Sequence, residues 1–329
     1  MRYSICLSYD GSAFCGWQIQ PHSPSVQEAV EGALSRLLGR PVAVTGAGRT
    51  DTSVNASRYV AHFEYDGTLP FEASDFVYKL NAILPRQVAV HSVLLADEDF
   101  HARFSARKRS YTYFIHRQKD PFVAAFSWQC GYPDLDFDAM NKACKHLLGT
   151  HDFSCFEKTG TDNKTSICTI SEAFWAPYTP SHVQVMAPEA VSVPKVGSVP
   201  EICSRPWPHG DAVGVGNVPE VGSAPEICSR PWLHEWEGPA PKEWEGRGPK
   251  VRRISGAEPT FGTSQYWYFR VSADRFLRNM VRAIVGSLIE VGRGKHEPEW
   301  ISELIATGTR GDAGESVPGH ALFLNRVEY

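Results

Sequence analysis

A stretch rich in proline and glycine, residues 187–260, most constrains how this chain can fold. It holds 12 prolines and 9 glycines among 74 residues, a composition typical of segments that cannot bury a core. It also contains two near copies of one sequence, VGSVPEICSRPWPHG at 196–210 and VGSAPEICSRPWLHE at 221–235. Two copies are fewer than a repeat architecture needs, so we expect a flexible insertion built from a duplicated linker. The alternative, that its Arg-Pro-Trp units bind a ligand, stays open because four of the nine tryptophans lie there.

The residues outside this insertion alternate between strand and helix patterns. Ser25 and Glu28 form a capping-box pattern before an amphipathic stretch that Gly39 ends. Strands are predicted at 3–9, 41–45, 58–65, 88–95, 110–116, 166–175, 265–273 and 321–329, and helices at 26–38, 71–82, 137–148 and 276–292. Because the insertion bridges two strands that could pair, we expect an α+β fold with two similar halves, each an antiparallel sheet backed by helices on one face. The halves are residues 1–105, and 106–186 together with 261–329.

Composition and spacing argue against several classes of protein. The net charge of −4 means that any surface for nucleic acid must be local. The first residues carry no apolar signal region and no window approaches 18 apolar residues, so we expect a cytoplasmic protein without a membrane span. The eight cysteines show no C-x-x-C or paired Cys/His spacing, which predicts free thiols and no structural zinc. No His pair has ligand spacing and no G-x-S-x-G occurs, so a metallohydrolase or serine hydrolase has no support.

The densest candidate site is GAGRTDTSVNA at 46–56. Two glycines after a predicted strand allow a tight turn, and Arg49 and Asp51 then lie two apart in an irregular segment. The segment lacks the third glycine of a dinucleotide-binding loop and the Gly-Lys of a phosphate-binding loop. By spacing alone Asp51 could equally serve as a helix cap or turn residue, and Arg49 as a surface charge.

Two further segments combine cations with rings or with an apolar stripe. Residues 101–117 hold five cations and no acid, interleaved with aromatic rings: Arg103, Arg107, Lys108, Arg109 and Arg117, with Phe104, Tyr111, Tyr113 and Phe114. Such a strand can hold unpaired nucleotides, or it can be an ordinary solvated basic face. Arg275, Arg278 and Arg282 are spaced three and four apart, so we expect them on one face of a helix. That face could bind a phosphate backbone, or it could only aid solubility.

These segments together resemble the tRNA pseudouridine synthase A family. The resemblance lies in GAGRTD at 46–51, LSYDG at 7–11, GWQ at 16–18, FHARFSA at 100–106, Tyr111-x-Tyr113 and FLRNMVR at 276–282 followed by Val285-Gly286. It covers everything except the insertion, and the motifs occur in the family's order.

The resemblance implies a pseudouridine synthase fold and an isomerase that converts uridine to pseudouridine at positions 38 to 40 of the tRNA anticodon arm. It also implies a homodimer without cofactor or metal. Asp51 is implied as the nucleophile, with Arg49 or Arg282 keeping it ionised and Tyr111 stacking on the flipped base. The expected tRNA-binding residues are Arg103, Arg107, Lys108, Arg109, Arg275, Arg278 and Asn55.

Two positions depart from the family pattern. Ser53 stands where the family has Gly, and Asn55 where it has His. If position 53 needs a positive φ, serine costs on the order of 1 kcal/mol there. Asn55 still offers a donor and an acceptor. A catalytically inactive tRNA-binding relative is the alternative function, and the presence of Asp51, Arg49, Tyr111 and Arg282 together weighs against it.

Overall fold

The computed structural model describes residues 1–158, 160, 165–181 and 265–329, all of which belong to one compact unit. The expected insertion at 187–260 lies entirely outside these residues. Its flexibility therefore stays a prediction, as does the division of the remaining chain into two halves.

The described residues form ten strands and five α-helices. The strands are β1 (Arg2–Tyr9), β2 (Val44–Gly46), β3 (Asn55–Glu64), β4 (Val88–Ala96), β5 (Lys108–His116), β6 (Trp128–Gln129), β7 (Gly149–Asp152), β8 (Ile167–Pro177), β9 (Tyr266–Ala273) and β10 (Leu322–Glu328). The helices are α1 (Val26–Leu38), α2 (Ala73–Ile83), α3 (Phe137–Lys145), α4 (Met280–Gly292) and α5 (Trp300–Thr307).

All of these strands lie in one mixed, mostly antiparallel sheet. Its main order is β4-β1-β3-β10-β5-β9-β8-β7, with β2 paired to β3 and β6 to β5. The strand β10 joins the first part of the chain to the second, since it pairs parallel with β3 and antiparallel with β5. The α+β class is confirmed. The strands β8 and β9, which flank the insertion in sequence, do pair antiparallel as expected.

Local sequence explains where the best-defined elements begin and end. The Ser25 hydroxyl accepts the N–H of Glu28 at 3.2 Å, and Gly39 ends α1 with φ 70°, as the capping pattern predicts. Strand β1 buries alternate residues, Tyr3, Ile5, Leu7 and Tyr9, on one face. That face and the inner faces of the helices form a continuous apolar core.

The helix predicted from residue 276 begins later than expected. Asn279 has φ 65°, a left-handed conformation, so α4 starts at Met280. Arg275 and Arg278 consequently lie in the turn before the helix and do not share a helical face with Arg282. That prediction was wrong, because an apolar stripe marks burial but does not fix the first helical residue.

Three elements were not predicted, namely β6, β7 and α5, each of eight residues or fewer. In the described part of the chain no helix is long and apolar enough to cross a membrane. Of the cysteines that the structure describes, Cys130, Cys144, Cys155 and Cys168 are buried free thiols.

Candidate active site

The segment around Asp51 is the loop that connects the antiparallel strands β2 and β3. The N–H of Val54 donates to the Asp51 carbonyl at 3.1 Å and closes a turn in which Ser53 has φ 62°. The positive φ considered for position 53 is therefore present. The turn leaves the Asp51 side chain 28% exposed, at the surface of the core.

The N-terminal segment after β1 supports this loop from beneath. The backbone N–H of Trp17 donates to the Thr50 carbonyl at 3.3 Å, and the backbone N–H of Ser53 donates to the Phe14 carbonyl at 3.3 Å. Gly16 has φ 98°, and a Cβ there would overlap the Thr50 carbonyl oxygen. The glycine of the GWQ motif is thus required by the close approach of two backbones.

Tyr59 holds the glycine turn that precedes Asp51. Its ring stacks on Trp17 with centroids 4.1 Å apart, and its hydroxyl donates to the Gly48 carbonyl. A Cβ on Gly46 would collide with this hydroxyl and with the indole of Trp17. Burial raises the pKa of Tyr59 well above its usual value, so the hydroxyl keeps its proton and remains a donor.

Two arginines from the far end of the chain face the Asp51 carboxylate. Arg282 Nη1 lies 3.9 Å from Oδ2, and Arg278 Nε lies 4.0 Å from Oδ1. Arg282 is anchored in turn, because its Nε donates to the Val317 carbonyl at 2.6 Å. Two positively charged side chains therefore lie beside the one carboxylate.

Tyr111, on β5, completes the cluster. It is 8% exposed, and Phe276 meets its ring edge-on with centroids 5.0 Å apart. Burial raises the pKa of the Tyr111 hydroxyl to about 12, while the neighbouring Arg109 opposes this and Asp51 adds to it. At neutral pH Tyr111 therefore carries its proton.

Asn55, expected to bind substrate, is instead 1% exposed. Its Oδ1 accepts the N–H of Gly11 at 2.8 Å, and its Nδ2 donates to the His320 carbonyl at 2.6 Å. Both ends of the amide are used in joining the N-terminal and C-terminal segments behind the Asp51 loop. The structure therefore places Asn55 behind the Asp51 loop, and its expected role in binding the substrate stays a prediction.

The basic residues of 101–117 divide into exposed and engaged side chains. Arg103 and Arg107 are exposed, Lys108 is half-buried, and Phe104 is 77% exposed with the Arg103 guanidinium 5.7 Å from its ring centre. Arg109 differs, because its guanidinium donates four hydrogen bonds to backbone carbonyls.

Comparison with known proteins agrees with these motifs. The model of a family described as tRNA pseudouridine synthase matches residues 143–329. The tRNA pseudouridine synthase A of Bacteroides thetaiotaomicron is 36% identical, with alignment over 100% of this chain and 90% of that protein. Those of Porphyromonas gingivalis and Bacteroides fragilis are 34% and 35% identical, over 100% of this chain and 97% and 96% of theirs. The chain belongs to the tRNA pseudouridine synthase A family. The family resemblance is confirmed, and the chain is an isomerase that acts on tRNA.

In this synthase the ion pairs of Asp51 within the described residues involve Arg278 and Arg282, and Arg49 is an exposed side chain of the same loop. Of the two arginines expected to keep Asp51 ionised, Arg282 lies in contact with it. No group of three or more His, Cys, Asp or Glu residues that could hold a metal occurs among the residues described.

The sequence interpretation missed the residues that build the synthase's loop. Trp17, Tyr59 and Gly319 pack against it from three separate segments. A Cβ on Gly319 would lie 2.6 Å from the Thr52 carbonyl oxygen. The signal in the sequence was the glycines Gly16, Gly46 and Gly319, but a glycine does not say which group approaches it.

Proposed function

We propose that this synthase isomerises uridine to pseudouridine at positions 38 to 40 in the anticodon arm of tRNA, with Asp51 as the nucleophile. One observation supports this most: the Asp51 carboxylate is partly exposed, faces two arginines at 3.9 and 4.0 Å, and lies near the buried phenol of Tyr111.

The reaction needs only the groups of this site and the nucleoside. The Asp51 carboxylate forms a transient covalent bond with the nucleoside while the bond between N1 and the sugar breaks. The base then rotates, C5 bonds to the sugar carbon, and the carboxylate leaves. C5 loses its proton and N1 gains one, so product and substrate are isomers and no co-reactant is consumed.

Each neighbour of Asp51 has a role in this scheme. Arg282, fixed by the Val317 carbonyl, pairs with the carboxylate and balances the charge that shifts when the base departs. Tyr111 stacks on the flipped uracil and holds a proton that its hydroxyl can share in moving the C5 hydrogen. Arg49, exposed on the loop, contacts the RNA next to the flipped nucleotide.

A set of basic residues binds the tRNA backbone, of which Arg103, Arg107 and Arg278 are exposed and Lys108 and Arg275 are half-buried. Arg103, Arg107, Lys108, Arg275 and Arg278 lie in segments that surround Asp51, so a local positive surface exists despite the net charge of −4. Phe104 offers an open ring beside Arg103 on which an unpaired base can stack.

The test is site-resolved detection of pseudouridine in tRNA by carbodiimide labelling and primer extension. Wild type should modify positions 38 to 40, whereas Asp51→Asn and Asp51→Ala should form no product and still bind tRNA, because no phosphate contact is lost. Asp66→Asn is the matched control, since Asp66 is exposed and pairs with the surface residue Arg40 at 2.9 Å. Turnover by Asp51→Ala near the wild-type rate would refute the nucleophile, and wild-type protein that binds tRNA without modifying it would favour the inactive relative.

We also propose that the synthase works as a cytoplasmic homodimer. Support comes from aromatic rings on the sheet face opposite Tyr111, where Phe114 meets Phe323 with centroids 5.5 Å apart and Phe126 is 43% exposed. Sedimentation equilibrium should give twice the chain mass, and Phe126→Asp should weaken the association. A wild-type monomer at micromolar concentration would contradict this.

A further inference from the structure

The Arg109 side chain lies at the junction of three backbone segments. Its Nη2 donates to the Ala47 carbonyl at 2.8 Å and to the Arg103 carbonyl at 2.7 Å. Nη1 donates to the Asp274 carbonyl at 2.8 Å, and Nε makes a longer contact of 3.3 Å with the Ala47 oxygen. A planar guanidinium with a fixed fork of donors can hold three carbonyls at set angles, which a lysine ammonium cannot.

The three segments are separate in the sequence, and folding brings them together. Ala47 precedes Asp51 by four residues in the loop between β2 and β3, and Asp274 precedes Arg278 by four in the turn before α4. One side chain therefore binds both the backbone of the Asp51 loop and that of the turn that carries Arg278.

The far segment is itself held firmly. Asp274 Oδ1 accepts the backbone N–H groups of Thr169 and Arg275 at 2.8 and 2.7 Å, which fixes this turn to the start of β8. A shift of the Asp274 carbonyl would therefore displace the turn that carries Arg278.

These contacts also leave Arg109 poorly placed to bind phosphate. Four N–H···O contacts to carbonyls occupy most of the five donors that a guanidinium has. Its neighbours Arg103 and Arg107 are exposed, so their side chains are accessible to a phosphate group.

We propose that Arg109 is a positioning residue that fixes the distance between Asp51 and the arginines facing it, and that it does not bind the tRNA backbone. The inference rests on the proposed role of Asp51. The sequence led us to expect that Arg109 contacts phosphate, which would make its loss weaken tRNA binding. A positioning role instead predicts a loss of catalytic rate with unchanged tRNA binding.

The test compares Arg109→Lys and Arg109→Ala with wild type in single-turnover assays at saturating tRNA, together with binding across a salt series. A misplacement of about 1 Å at a reacting group can cost about 10²-fold in rate, so both variants should lose 10- to 100-fold. Their affinity for tRNA should stay within about threefold, and the slope of log K against log salt should not change. Guanidinium ion at about 20 mM should restore part of the rate that Arg109→Ala loses. It should leave the rate of the wild-type protein unchanged.

Two other arginines calibrate the measurement. Arg107→Gln is the reference for a phosphate contact and should flatten the salt slope by about 0.7 to 0.9. Arg36→Gln, exposed on α1, removes the same charge far from Asp51 and should match wild type in rate and slope.

Several outcomes overturn the proposal. These are Arg109→Lys with the wild-type rate, a flattened salt slope in the Arg109 variants with an unchanged saturating rate, or variants of Arg109 that no longer fold by thermal melting. The last would make Arg109 a general stability residue. Activity in Asp51→Asn would instead refute the proposed function, whatever Arg109 does, so the two failures are separable.

Discussion

Gly319→Ala should slow catalysis without touching any group that takes part in it. A Cβ at this buried glycine would lie 2.6 Å from the Thr52 carbonyl oxygen, whereas ordinary contacts of a Cβ begin at 3.4 Å. The backbone next to Asp51 therefore has to move by somewhat less than 1 Å. Gly319 has no positive φ, so the methyl group alone causes the strain.

The neighbours of Gly319 leave the loop little freedom to retreat. The Val317 carbonyl holds Arg282 and the His320 carbonyl holds Asn55, each at 2.6 Å. Whichever segment yields, either Asp51 or Arg282 is displaced. We expect a 10- to 100-fold lower single-turnover rate from the displacement and about 1–3 kcal/mol less stability from overpacking.

The assay is single-turnover pseudouridine formation at saturating tRNA, with tRNA affinity and urea unfolding measured on the same protein. Gly131→Ala is the control, since a Cβ there meets nothing within 4 Å and φ is not positive. It should keep the wild-type rate. A folded Gly319→Ala with a rate within threefold of wild type would refute the claim that packing of Gly319 against Thr52 sets the position of Asp51.

Three further predictions test other features of the site and the core. Tyr111→Phe should keep tRNA affinity, because the ring still stacks, and lose about 10²-fold in turnover if the hydroxyl moves a proton; equal turnover would exclude that role. Ser53→Gly should raise the free energy of unfolding by about 0.5 kcal/mol, since relief of the left-handed φ outweighs the added chain entropy; a loss in urea titrations would contradict this. Burial lowers the pKa of His62 to about 4 from 6.5, so the unfolded chain takes up a proton first as pH falls. Stability should therefore decline between about pH 6.5 and 4, and His62→Gln should flatten that decline; an unchanged curve would refute the assignment.

Short-range signals in the sequence were enough for the elements whose boundaries are set locally. Helix α1 begins at its capping box and ends at a left-handed glycine, and both features act within a few residues. Strand β1 alternates because one face of a sheet is buried. The motif around Asp51 pointed to the family, because a tight glycine turn with a carboxylate is written in consecutive residues.

Tertiary structure alone decided how these parts combine. Strand β10 could pair with any edge, and only the folded core places it between β3 and β5, where it makes one sheet of the described strands. Arg109 and Arg278 are both arginines in basic segments, yet one binds backbone carbonyls and the other faces Asp51. The amino-acid sequence gives each residue its chemistry, but its partners are set by contacts between segments that are far apart in the sequence.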